Sequence, residues 1–235
     1  MNEKTKLRNL TLPKVLLTLV LFEIFWCITS FIGWNNFFAG IRDFYGHDLY
    51  QAFLRILYSI PFLILIKHYE KDLKFSLKDM FTKFDLKLFS ILFSILLALE
   101  LIMMFIMNKG FHINVENIPL IFDFFLVGLF EEISFRGWTF NALYSKMSYK
   151  KANILQTLYF MFAHITPYIP FWIQSGAINM EHVKFVLIWN FPSCLICGIL
   201  YGYILKKTKS LWIPMLLHAA MDYLSYLFMY NAIYG

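Results

Sequence analysis

Ile118-Pro119-Leu120-Ile121-Phe122-Asp123-Phe124-Phe125-Leu126-Val127-Gly128-Leu129-Phe130-Glu131-Glu132-Ile133-Ser134-Phe135-Arg136-Gly137 is an apolar run of membrane length that ends in two adjacent acids and a cation. About 20 predominantly apolar residues form a helix long enough to cross the hydrocarbon core of a bilayer. A carboxylate at that depth is costly unless it is paired or lines a polar cavity, so Glu131 and Glu132 mark a functional site. Arg136 follows Glu132 by four residues, one turn along the same helical face, and is expected to pair with it.

The same reading extends to the whole chain. Its 235 residues are 60% hydrophobic, 20% aromatic and only 15% charged, and the mean hydropathy is +0.61. Soluble domains are roughly 45–50% apolar and about 25% charged. The fold class is therefore all-α: a polytopic transmembrane helical bundle of about seven spans (six to eight). The candidate spans are 15–34, 51–66, 88–107, 118–137, 152–170, 184–205 and 211–231. They leave no room for a soluble domain, so 1–235 reads as a single integral membrane domain. The second run is short, and Pro61 is expected to interrupt it. Segment 75–87 is amphipathic and is expected to lie in the interface plane, as is segment 137–150. The 27 Phe and 14 Tyr are expected mostly on lipid-facing and interfacial surface.

Charge placement gives the orientation. Lys4, Lys6, Arg8 and Lys14 precede the first run, which is too long and bulky for a signal peptide and reads as a retained span. Arg42 stands alone in the first loop, and Lys67, Lys71, Lys74, Lys78, Lys83 and Lys87 crowd the second. Lys109 is alone in the third, and Lys146, Lys150 and Lys151 occupy the fourth. The fifth has at most Lys184, the sixth has Lys206, Lys207 and Lys209, and the C-terminal tail has none. This alternation fits a multi-pass protein of the cell membrane with a cytoplasmic N-terminus. An even number of spans would need a re-entrant segment, and Pro167, Pro170 and Ala177 mark the region for one. The net charge of +6 is spent on topology, which argues against a nucleic-acid partner. Cys27, Cys194 and Cys197 lie inside apolar runs and read as packing residues.

In this topology the polar residues converge. Glu131 and Glu132 lie ~20 Å along their span from Ile118, in the cytoplasmic half. His164 interrupts the apolar stretch Phe160-Met161-Phe162-Ala163. His218 lies ~10 Å into the last span, and Asp222 follows one turn deeper on the same face. Hydrolysis of an amide inside a membrane needs such a set: a carboxylate to take a proton from water, and donors for the oxyanion. Glu23, Glu100, Asp123 and Arg55 also sit in or near spans, where inter-helix pairing or interface snorkelling is expected of them.

The pattern Glu131-Glu132-x-x-x-Arg136, then Phe160-x-x-x-His164, then His218-x-x-x-Asp222 resembles the three motifs of the CAAX protease and bacteriocin-processing (CPBP/Abi) family, which includes the Ras-converting CAAX endopeptidases. The contexts Glu131-Glu132-Ile133-Ser134-Phe135-Arg136-Gly137-Trp138, and Tyr201-Gly202-Tyr203 through Ser210-Leu211-Trp212-Ile213-Pro214, resemble it as well. The likeness covers a core of roughly 118–225. It implies an intramembrane endopeptidase with Glu131 as water-activating base and Glu132 assisting or orienting it. His164, His218 and Asp222 would complete the catalytic set, with Arg136 and Phe160 in orienting roles. The family's third motif ends most often in asparagine; here it ends in Asp222, which donates a hydrogen bond only when protonated. The implied partners are membrane lipid and a hydrophobic or lipidated peptide or protein. Short members of the family are linked to bacteriocin immunity or peptide maturation.

The residues leave the metal question open. No cofactor is certain. Glu132, His164 and His218 are the donor types of a zinc or other divalent-metal site with an open position, but no His-Glu-x-x-His is present. Two other functions use the same residues: a non-catalytic membrane immunity or partner protein, and a proton-coupled transporter. A transporter would be expected to show an internal repeat, and none is visible.

Overall fold

The computed structural model describes residues 9–34, 47–108, 113–166, 169–176, 178 and 180–233. The basic residues Lys4, Lys6, Arg8, Arg42 and Lys109, together with Pro167 and Ala177, lie outside them. Every regular element among the described residues is helical. In chain order these are α1 (Leu12–Trp34), α2 (His47–His68), α3 (Leu77–Thr82), α4 (Leu86–Asn108), a 3₁₀ turn (Val115–Leu120) and α5 (Ile121–Glu132). A π-helical segment (Ile133–Phe140) joins α5 to α6 (Asn141–Lys146). Then come α7 (Tyr149–Ala163), α8 (Ile169–Ser175), α9 (Met180–Phe185), a second π segment (Val186–Asn190), α10 (Phe191–Thr208) and α11 (Trp212–Ile233).

Helices thus occupy all seven expected runs. Among the described residues three stretches are apolar and long enough to cross a membrane on their own: Leu12–Thr29, Leu86–Ile106 and Val186–Thr208. Their outward faces are bare hydrocarbon, with Leu17, Ile95 and Ile196 more than half exposed. Water would not tolerate such a surface and lipid tails would, so the protein is a membrane protein. α5, at 12 residues, is too short to cross on its own, while α2 and α11 are of membrane length but carry Arg55, His218 and Asp222.

Close approach holds the bundle together. α10 carries Gly198-x-x-x-Gly202, and both glycines face α7. A Cβ on Gly198 would stand 2.6 Å from the Thr157 methyl, and one on Gly202 only 1.9 Å from Asn153 Oδ1. Small residues one turn apart let two helix backbones meet where no hydrophobic drive operates. Asn153 uses that proximity to donate from Nδ2 to the Ile199 carbonyl at 3.0 Å. α5 meets α11 in the same way at Gly128, where a Cβ would fall 2.5 Å from the Met215 carbonyl oxygen.

Several expectations are corrected. Pro61 lies inside α2 without ending it, so the second run makes an uninterrupted 22-residue helix. The loss of one backbone hydrogen bond is tolerated there because the neighbouring turns remain bonded. Segment 137–150 is not an interfacial strip. It continues the fourth helix into the core, and Gly137 through Leu143 are buried. Segment 75–87 forms only the six-residue α3, capped by Ser76 and Asp79, and its apolar residues Phe75 and Met80 are buried in protein. Asn141 explains the burial of both segments. Its Oδ1 accepts from the Lys74 and Phe75 amides at 3.0 and 3.1 Å, and its Nδ2 donates to the Phe75 carbonyl at 2.8 Å. One amide side chain so supplies a strand-like partner to an otherwise unpaired loop. Aromatic residues also fill the interior: Phe22 contacts Trp26, Tyr58, Phe62 and Phe135 at ring-centroid distances of 5.1–6.2 Å.

Candidate active site

The site begins where α5 gives way to the π segment. Wide π turns arise as local distortions of α-helices and cluster at functional sites. Here the Thr139 hydroxyl donates to the Ser134 carbonyl five residues back at 2.9 Å, within the wide turn. Adjacent residues on the preceding α-helix point about 100° apart, so Glu131 and Glu132 meet different surroundings.

Glu132 turns into the wall of the bundle and is fully buried. Its Oε1 accepts from Arg136 Nη1 at 2.6 Å and from His218 Nδ1 at 2.8 Å. The Arg136 guanidinium, also fully buried, lies over the Phe160 ring at 4.3 Å and the Tyr201 ring at 5.3 Å. The two ring faces shield a cation whose Nε and Nη2 have no hydrogen-bond acceptor among the described residues. The expected Glu132–Arg136 pair is therefore present, and it also fixes an imidazole on another helix. Such buried pairs are held by geometry more than by net energy: removing one partner leaves an uncompensated charge.

Glu131 turns the other way, into a cavity of about 390 Å³. His164, His218 and Asp222 line the same cavity. The His218 ring presents its Nε2 there, 3.8 Å from Glu131 Oε2 and 3.6 Å from Asp222 Oδ2. Both separations are charge-pair distances, longer than hydrogen bonds. Because Nδ1 of His218 faces the carboxylate of Glu132, Nδ1 carries the ring proton in the neutral form. His164 is set by analogous logic. Its Nδ1 lies 2.8 Å from the Phe160 carbonyl, which can only accept, so Nδ1 is the donor and Nε2 is the open nitrogen. Phe160 packs edge-on against His164 at 4.7 Å and against His218 at 5.8 Å, holding both rings.

The structure thus brings Glu131, His164, His218 and Asp222 to one cavity and sets Glu132 and Arg136 behind it, with Phe160 between. Of the donor types Glu132, His164 and His218, Glu132 gives its Oε1 to Arg136 and His218, while its buried Oε2 has no hydrogen-bond partner among the described residues. Among the described residues no three His, Cys, Asp or Glu side chains are arranged to hold an ion. Cys194 and Cys197 line the cavity as free thiols, and Cys197 Sγ lies 3.3 Å from Met221 Sδ.

Of the other intramembrane polar residues, Glu23 accepts from the Thr166 hydroxyl at 2.7 Å, and Glu100 is 3.4 Å from the Ser225 hydroxyl. Arg55 departs from its expectation. It lines the cavity and has no ion pair among the described residues. Tyr201 and Ser134, which stand in the contexts that resemble the family, belong to the site or its wall, as does Asn190, which no spacing marks in the sequence. The signals within reach were Gly198-x-x-x-Gly202, which marks the α7–α10 contact, and Gly128, which marks the α5–α11 contact.

Residues 114–224 match the family described as type II CAAX prenyl endopeptidase Rce1-like. The chain is also 27% identical over 235 residues to CAAX prenyl protease 2 of Methanococcus maripaludis, an alignment covering 88% of this chain and 81% of that protein. Over the segment that carries its two glutamates, two histidines and terminal acid, this chain is thus similar to the CAAX prenyl endopeptidases.

Proposed function

We propose that the chain is an intramembrane endopeptidase that hydrolyses a peptide bond near a hydrophobic or lipidated, for instance prenylated, segment by glutamate-activated water. The observation that carries this reading is the division of labour between neighbours: Glu131 faces the cavity, while Glu132 is buried and holds His218 at 2.8 Å. Water in the cavity gives its proton to Glu131, with the open Nε2 of His164 as a second acceptor to orient it. The new carbon–oxygen bond forms at the scissile carbonyl. As imidazolium, His218 donates Nε2–H to the oxyanion, and its Nδ1–H stays on Glu132. Glu131 then passes the proton to the leaving nitrogen as the carbon–nitrogen bond breaks, and returns to carboxylate. Arg136 and Glu132 act through His218 as positioning residues. In this reading seven helices cross the membrane with the N-terminus in the cytoplasm, supported by the alternation of basic loops. The role in peptide maturation rests on the resemblance of the motifs.

Wild type and Glu131→Gln, purified in detergent, are incubated with quenched hydrophobic and prenylated peptides, with and without a chelator. Cleavage by wild type alone supports the reading, and chelator resistance supports metal-free chemistry. Undiminished cleavage by Glu131→Gln refutes the assignment of the base. Chelator sensitivity restored by added zinc refutes the metal-free form.

A further inference from the structure

Arg55 stands on α2 with its Nε buried and without an acceptor among the described residues. No carboxylate there lies within ion-pair distance of it, whereas the buried guanidinium of Arg136 has both a carboxylate and two ring faces. Arg55 opens on the same cavity as Glu131 and Asp222. Around it the wall is aromatic, built from Phe22, Trp26, Tyr58 and Phe124. A cation at membrane depth without a counter-anion is costly, and such residues mark substrate positions. A guanidinium fork takes a carboxylate in two parallel hydrogen bonds, which an apolar surround strengthens.

We propose that Arg55 is a substrate-binding residue that takes the free C-terminal α-carboxylate of the peptide. This rests on the endopeptidase reading for the identity of the ligand. The cavity of about 390 Å³ is the size of a small-ligand pocket. It has room for the last few residues of a chain, and a chain end brings a carboxylate of its own. Glu131 and Asp222 line the same cavity and repel that carboxylate, so the chain end is drawn to Arg55 and one orientation of the peptide is selected.

The test separates binding from cleavage. A fluorescent prenylated peptide is made as the free acid, as the C-terminal amide, and as an amide ending in glutamate. Each is titrated against full-length Glu131→Gln in detergent, with Arg55 intact or replaced by Gln or Lys. A hydrogen bond between charged groups predicts that the acid binds about tenfold or more tightly than the amide when Arg55 is present. Arg55→Gln weakens the acid to the level of the amide and leaves the amide unchanged, and Arg55→Lys restores part of the preference. Equal binding of acid and amide to the Arg55 protein overturns the proposal, as does an acid preference that survives Arg55→Gln. Binding of the glutamate-ended amide as tightly as the acid refutes the terminal carboxylate as the ligand. Unchanged binding of the amide shows that Arg55→Gln is folded. Acid preference without cleavage by wild type would sink the endopeptidase reading and leave this one standing.

Discussion

Gly128→Ala tests the coupling between α5 and α11, and its cost can be worked from the contact. The added methyl would fall 2.5 Å from the Met215 carbonyl oxygen and 2.7 Å from the Ala219 nitrogen. Both are backbone atoms of a helix, so neither can rotate away. A relaxed carbon–oxygen contact needs about 3.3–3.6 Å, so the helices must part by roughly 0.8–1.1 Å. His218 lies between Met215 and Ala219, and Glu132 is one turn beyond Gly128. Their 2.8 Å bond would then open to roughly 3.6–3.9 Å, past hydrogen-bond range. Overpacking costs about 1–3 kcal/mol and the charged hydrogen bond about 1.5–3 kcal/mol, giving about 2.5–6 kcal/mol in all. A displacement of about 1 Å in a catalytic group also lowers rate by about 10²-fold. Gly137→Ala is the control. Its methyl meets the ends of the Ile66 and Leu211 side chains at 3.3 and 3.4 Å, and the Glu132 carbonyl oxygen at an ordinary 3.6 Å. It should change stability by less than about 1 kcal/mol. Denaturant unfolding in mixed micelles and peptide cleavage, run on both variants, check the argument. If Gly128→Ala stays within about 0.5 kcal/mol of wild type and within threefold in rate, the close approach does not hold the site, and the reasoning fails.

Substitutions at five other positions probe the site and the capped α3. Glu131→Gln should lower cleavage by at least about 10²-fold while leaving the unfolding midpoint near that of wild type, because its side chain is partly exposed to the cavity. Arg136→Met should destabilise by about 3–5 kcal/mol by leaving Glu132 with a buried charge, and Glu132→Gln combined with Arg136→Met should recover part of that loss. Asp222→Asn, measured by kcat and KM, should retain activity within about tenfold, since an amide can still face His218 Nε2 and can donate a hydrogen bond; Asp222→Leu should not. Asp79 on the capped α3 is held below the usual carboxylate range by the Ser76 hydroxyl and backbone amide. The stability it contributes is complete above the ordinary carboxylate pKa and is lost as pH falls through the lowered folded value. The stability difference between wild type and Asp79→Asn should therefore be flat at neutral pH and shrink in acid.

The sequence announced the helices and the reacting groups for one reason: both depend on short-range spacing. Apolar runs of membrane length, Glu132 four before Arg136, and His218 four before Asp222 are each readable along one helix. What stayed hidden depends on which face meets which neighbour. An arginine in an apolar helix looks the same whether it snorkels to the interface or opens on a cavity, so spacing does not set Arg55 apart. Segment 137–150 is amphipathic in either setting, and only the three hydrogen bonds of Asn141 to residues 74 and 75 show that its neighbours are protein. The π segment has no compositional signature, because a turn closed at five residues instead of four uses the same side chains. The resemblance implies that Glu132 assists or orients Glu131; the structure sets it on His218, a partner 86 residues away that spacing cannot reveal.

The wide turn at Ile133–Phe140 constrains how this chain can change. A residue removed there would tighten it to ordinary α geometry and rotate everything on one side by about 100° relative to the other. Glu131 and Glu132 lie before the turn, and the anchors Trp138 and Asn141 lie within or just after it. Trp138 donates to the Thr18 hydroxyl at 3.0 Å, so rotation of that half would pull it from α1. Rotation of the other half would exchange the surroundings of the two acids, turning a charge meant for water into the wall. Point substitutions can tune this segment, but a single-residue deletion disconnects its two jobs, reaction on one side and anchorage on the other. The length of the segment, more than the identity of most of its side chains, is therefore the quantity that selection must keep fixed.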